Sequence, residues 1–117
     1  MEAKILKARE AAQNWLDFAD NCEYIATWFE AASYFQNTIT AQQWETILQG
    51  VRQPLGKAIA REVNSEQYAN SLPGVPDGEY VVIEYQTSFE YKKSALETVT
   101  LMLESQDLWR VAGYFIR

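Results

Sequence analysis

The stretch EYVVIEYQTSFEY, residues 79–91, puts Val81, Ile83, Tyr85, Thr87, Phe89 and Tyr91 on one side of an extended chain. A period of two belongs to a β-strand with one buried face. Two later stretches repeat it. ALETVTLMLE (95–104) aligns Ala95, Glu97, Val99, Leu101 and Leu103, and WRVAGYFIR (109–117) aligns Trp109, Val111, Gly113 and Phe115. With KKS (92–94) and SQD (105–107) as three-residue loops, Phe89 faces Glu97, Thr87 faces Val99 and Tyr85 faces Leu101. On the other side Leu103 faces Trp109, Leu101 faces Val111 and Glu97 faces Phe115. Every odd-numbered apolar residue then shares a face, and a one-residue slip would scatter them. The pattern predicts a meander of three long strands. Gly113, in the middle of the last strand, reads as a bend or bulge.

Upstream of these strands lies the turn region SLPGVPDG (71–78), and before it KAIAREV (57–63), whose weak alternation predicts a first strand. The period before Gly56 is helical. Ile5, Ala8, Ala12, Trp15, Leu16 and Ala19 make one stripe over residues 3–19. In DNCE, Asp20 and Glu23 have the form of a capping box that starts a second helix, with a stripe of Tyr24, Ile25, Trp28, Ala32 and Phe35. In ITAQQW, Thr40 and Gln43 form a second box, and Trp44, Ile47, Leu48 and Val51 then line a third helix that Pro54 and Gly56 end. Three N-terminal helices (helical part 3–52) on the apolar face of a curved antiparallel sheet of about four strands (57–117) make an α+β fold, and 117 residues make a single domain, 1–117.

Composition excludes whole classes of chemistry. The chain has no histidine, which removes Ser-His-Asp and Cys-His catalysis and most transition-metal sites. Cys22 is the only cysteine, read as a small buried residue of a helical stretch, so neither an intrachain disulfide nor a thiolate metal cluster forms. The net charge of −6, with one adjacent basic pair at Lys92-Lys93 placed in a turn, argues against nucleic acid. No apolar run reaches the roughly 18 residues of a membrane span, and the charged start MEAKILKARE reads as a helix rather than a signal peptide.

One inward position carries a charge. Glu97 lies between Phe89 and Phe115 in the register above, and a carboxylate among apolar groups either takes a partner or shifts its pKa upward. It is a pocket acid or base aided by Tyr85 or Arg61, or else it pairs with an arginine or meets water where the sheet curls open. Arg61, alternating with Ile59 and Val63, points to the same mouth or makes an ion pair across the rim. The four tryptophans line a cavity or pack the core. On the outer face Tyr114 and Ile116 fall beside Leu96 and Thr98, an apolar patch suited to a partner or a second copy.

Trp28, Gln43-Trp44, RQPLG (52–56), Arg61, LPGVPDGEYVVIEYQTSF (72–89), ETVTL (97–101) and WRVAGYFIR (109–117) together resemble a bacterial family known as domain of unknown function 4019. The likeness covers nearly the whole chain. It implies a cystatin-like fold, akin to the scytalone dehydratase and ketosteroid isomerase superfamily with its cone-shaped pocket, in small and often exported, periplasmic proteins. It brings no catalytic residue with it. Enzymes of that superfamily use Asp/His or Tyr/Asp pairs, and without histidine only Tyr85 with Glu97 would serve. The expectation is a non-catalytic module without metal or cofactor that takes a small apolar ligand or a protein. Its candidate pocket is Glu97, Tyr85, Arg61, Phe89 and Phe115, and its candidate interface Tyr114, Ile116 and Leu96. The alternatives are an isomerase or lyase on Glu97 and Tyr85, and a structural homodimer.

Overall fold

Four helices precede four strands in a computed structural model that describes residues 1–117: α1 (Glu2–Asp20), α2 (Tyr24–Phe29), α3 (Ser33–Thr38), α4 (Ala41–Arg52), β1 (Ala58–Ala69), β2 (Tyr80–Phe89), β3 (Lys92–Ser105) and β4 (Leu108–Ile116). The strands form one antiparallel sheet in chain order, and the fold is α+β. Val81, Ile83, Tyr85, Val99 and Leu101 pack from the sheet against Ala8, Ala12, Trp15, Leu16 and Ala19 of α1, and against Trp44 and Leu48 of α4. Burial of this face is the main source of stability. No helix is long and apolar enough to cross a membrane.

The helical half differs from expectation in three places. The predicted second helix is two helices, because residues 30–32 leave the helical path to meet the sheet. Ala31 bridges Val111 in parallel, and the Ala32 N–H donates to the Val111 carbonyl at 2.8 Å. DNCE is not a cap: Asp20 ends α1, the side chain of Glu23 caps nothing, and Cys22 is exposed in a turn with φ 62° rather than buried in a helix. On α4 the capping box forms, with Thr40 Oγ1 accepting from Gln43 N–H and Gln43 Oε1 accepting from Thr40 N–H, both at 3.1 Å. The inward face of α4 is however Trp44, Leu48 and Arg52, and Ile47 and Val51 are exposed.

Register differs too, and the reason is a contact distant in sequence. The turn between β2 and β3 is Glu90-Tyr91, not 92–94, so Tyr85 faces Glu97, Ile83 faces Val99 and Thr87 faces Ala95. This turn docks on the chain that leaves α4: Glu90 N–H donates to Lys57 O at 2.8 Å and Tyr91 N–H to Leu55 O at 2.9 Å. Gly56 permits the approach. Its φ is +75°, and a Cβ there would lie 2.7 Å from Glu90 Oε1 and 2.8 Å from Tyr91 Cδ2. The displacement is even-numbered, so β2 and β3 keep their expected faces.

On β4 the expected pairs Leu103 with Trp109 and Leu101 with Val111 are present. Then a bulge adds one residue, Ala112, before Gly113 meets Thr100 and Tyr114 meets Val99. The odd step exchanges the faces of everything beyond it. Tyr114 turns inward and Phe115 outward, where its ring is 52% exposed.

Candidate functional site

Helix periodicity delivers two charges to the inner end of the sheet. Asp20 follows Leu16 by four residues on α1, and Arg52 follows Leu48 by four on α4, so each extends its buried stripe by one turn. The sheet delivers the rest. Arg61 lies across from Thr87, and Tyr85 lies across from Glu97, with Ile116 on the other side of Glu97.

These residues form one hydrogen-bonded cluster around Glu97, which is 0% exposed. Glu97 Oε1 accepts from Arg61 Nε at 2.6 Å and from Thr87 Oγ1 at 2.5 Å. Glu97 Oε2 accepts from Arg61 Nη2 at 3.2 Å and from the Tyr114 hydroxyl. A carboxylate offers about four acceptor positions, so those of Glu97 are filled. Arg61 also donates to Asp20, from Nη1 to Oδ2 at 2.8 Å and from Nη2 to Oδ1 at 3.0 Å. Arg52 Nη2 donates to Asp20 Oδ1 at 2.8 Å. Two carboxylates and two guanidiniums sum to zero, which offsets the cost of removing four charges from water.

The same contacts set the acid–base properties. Burial alone would raise the Asp20 carboxyl, but Arg61 and Arg52 outweigh it and hold it below the usual aspartate range. Burial opposes the charge on Arg61, and Asp20 and Glu97 overcome that and raise it. Burial and the neighbouring Glu97 push the Tyr114 phenol well up. Tyr85 is pushed up to about 12, chiefly by burial. Its hydroxyl has no hydrogen-bond partner, and neither do Nε and Nη1 of buried Arg52, whose guanidinium lies 5.0 Å from the Phe89 ring centroid.

The residues singled out from the sequence fall in different places. Glu97 and Arg61 meet directly, and Phe89 supports Arg52. Tyr85 is buried close by but does not bond to Glu97. Phe115 is not beside Glu97 at all: the Ala112 bulge puts Tyr114 there, so Tyr114 belongs to the cluster and not to the outer face. Leu96 and Ile116 are half-buried. Sequence reasoning missed Asp20, Arg52, Thr87 and Tyr114. A signal for the first two was present, since Asp20 and Arg52 each continue an apolar stripe with a charge. Indoles serve as structural pins: Trp15 Nε1 donates to Thr27 O at 2.9 Å, Trp44 Nε1 to Thr27 Oγ1 at 2.9 Å, and Trp28 Nε1 to Ile39 O at 2.8 Å. Clefts open beside Arg61 and between α1 and β4, and neither reaches Glu97 or Val99.

A model of a protein family of unknown function, DUF4019, matches residues 11–114. The chain belongs to this family. The matched span takes in all six residues of the cluster, from Asp20 to Tyr114, and with them the α1 stripe, both loops at the inner end of the sheet and the β4 bulge. No curated protein matches the chain.

Proposed function

We propose that this member of the DUF4019 family is a non-catalytic interaction module whose inner cluster ties the helices to the sheet and whose surface meets a protein. The observation that carries the reading is the filled acceptor set of Glu97. A general base needs a free lone pair aimed at its substrate, and here both oxygens face donors of the chain itself. An isomerase or lyase on Glu97 and Tyr85 would also need the two groups joined, and the Tyr85 hydroxyl stands alone. A small apolar ligand is less favoured than a protein, because the clefts beside Arg61 and beside α1 stop short of the apolar interior around Val99.

Glu97→Gln tests the reading. It keeps the shape and removes the charge opposite Arg61. Breaking a buried pair from one side costs about 3–5 kcal/mol, so a structural tie predicts a large fall in melting temperature. A carboxylate kept for chemistry against its surroundings gives the opposite result, since replacing such a group stabilises the fold. A variant that melts at or above the wild-type temperature overturns the proposal.

A further inference from the structure

β4 is an edge strand, and its free edge runs beside α1. Between them lies a groove of about 350 Å³, walled by Lys7, Glu10, Ala11 and Asn14 on the helix and by the unbroken run Leu108–Val111 on the strand. Spacings of three and four put those helical residues on one face. The Lys7–Asp107 ion pair at 3.5 Å stands at one end, and Arg110 Nη1 bonded to Glu30 O at 3.3 Å stands at the other.

The strand wall carries hydrogen-bonding groups turned toward the groove. Leu103 N–H donates to Glu79 O at 2.9 Å, so the backbone of Leu103 is engaged with the β2 side. By the alternation of an antiparallel ladder, its partner Trp109 directs N–H and C=O away from β3, to the free edge. Val111 points the same way, and its carbonyl shows what the edge accepts: it takes the Ala32 N–H at 2.8 Å, and Ala31 already bridges it as a strand would. That segment stops at Val111, leaving Trp109 uncovered.

We infer that this groove binds an extended basic-apolar peptide by strand addition to β4, with its main chain completing the ladder at Trp109 and Val111. This inference rests on the interaction-module reading and names the partner's chemistry. Charge selects the occupant. Both cations of the groove are paired within the chain, Lys7 with Asp107 at 3.5 Å and Arg110 with Glu104 at 3.6 Å. The carboxylates of Glu10 and Glu30, on the groove wall, form no ion pair and complement Lys or Arg on the peptide. Alternate residues of an added strand point to one side, so those facing α1 meet the small Ala11 and are apolar, and basic residues lie between them. Four strand residues span roughly 13 Å at about 3.3 Å each, which sets the engaged peptide at about four residues.

The probe is a blocked hexapeptide alternating lysine and valine, titrated into the ¹⁵N-labelled full chain. Expected are saturable shifts of the Trp109 and Val111 amides with slowed hydrogen exchange. The glutamate–valine counterpart binds at least about tenfold more weakly, a difference of about 1.4 kcal/mol. A backbone N-methylated lysine–valine peptide does not bind. In a Glu10→Lys/Glu30→Lys variant, exposed enough to leave the fold intact, the preference reverses. Absence of shifts at Leu108–Val111 with millimolar peptide overturns the assignment. So does equal binding of the N-methylated peptide, or protection of the same amides at rising protein concentration without peptide, which would give the edge to a second copy of the chain. The Glu97→Gln melt is independent of these results and decides the underlying reading by itself.

Discussion

Two tyrosines of the inner face offer a matched pair of perturbations. Tyr114→Phe and Tyr85→Phe each remove one buried hydroxyl and leave the ring, so neither opens a sizeable cavity. The hydroxyls differ in what they do. That of Tyr114 donates to Glu97 Oε2, and that of Tyr85 has no partner. A hydrogen bond to a charged group contributes about 1.5–3 kcal/mol, whereas a buried hydroxyl without a partner costs about 1–3 kcal/mol of desolvation. Unfolding entropy near 2.1 cal/mol/K per residue gives about 0.25 kcal/mol/K for 117 residues, or roughly 4 °C per kcal/mol. Tyr114→Phe is therefore expected to lower the melting temperature by about 6–12 °C, and Tyr85→Phe to leave it unchanged or raise it by about 4 °C or more. Thermal melts at pH 7 followed by far-UV circular dichroism, with urea titrations as a second measure, read both. Equal losses from the two substitutions would refute the argument, since they would mean that the bond to Glu97 contributes nothing beyond burial of a phenol.

Other expectations follow from the same geometry. The folded-state pKa of Asp20 is held below its ordinary 3.8, so its contribution to stability is present above about pH 4 and is lost as pH falls through the depressed value. Asp20→Asn should flatten the acid limb of a stability–pH profile, and an unchanged limb would count against the pairing with Arg61 and Arg52. Gly56→Ala places a Cβ at φ +75° and 2.8 Å from Tyr91 Cδ2. A loss of about 2–4 kcal/mol is expected from strain and clash together, and urea denaturation would reveal it. Phe115→Glu, at a ring 52% exposed, should melt within about 0.5 kcal/mol of wild type. If the outer face of the sheet holds a homodimer, the same substitution halves the sedimenting mass.

Much of the fold was legible because it is local. A period of two or of 3.6 is a property of neighbouring residues, so the stripe Ala8–Ala12–Trp15–Leu16–Ala19, the Thr40 box and the inner faces of β2 and β3 could be read before any tertiary contact was known. Glu97 and Arg61 could be singled out for the same reason, as charges on faces that are otherwise apolar. Their partners could be flagged only as oddities. Asp20 looked like a helix cap and Arg52 like the end of a helix, because what satisfies each of them lies tens of residues away.

What the sequence by itself determined is which side of each helix and strand is buried, since the hydrophobic pattern and the chirality of the chain suffice for that. What only the tertiary structure decided is the pairing. The 90–91 turn is drawn tight by its bonds to Leu55 and Lys57 over Gly56, and residues 30–32 leave the helix to meet Val111. The Ala112 bulge turns β4 over, so that Tyr114 and not Phe115 reaches Glu97. Alternation specifies register only to within an even step, and a single bulge reverses every face beyond it. The residue beside the buried carboxylate was therefore set by which strands meet, and not by the spacing along any one of them.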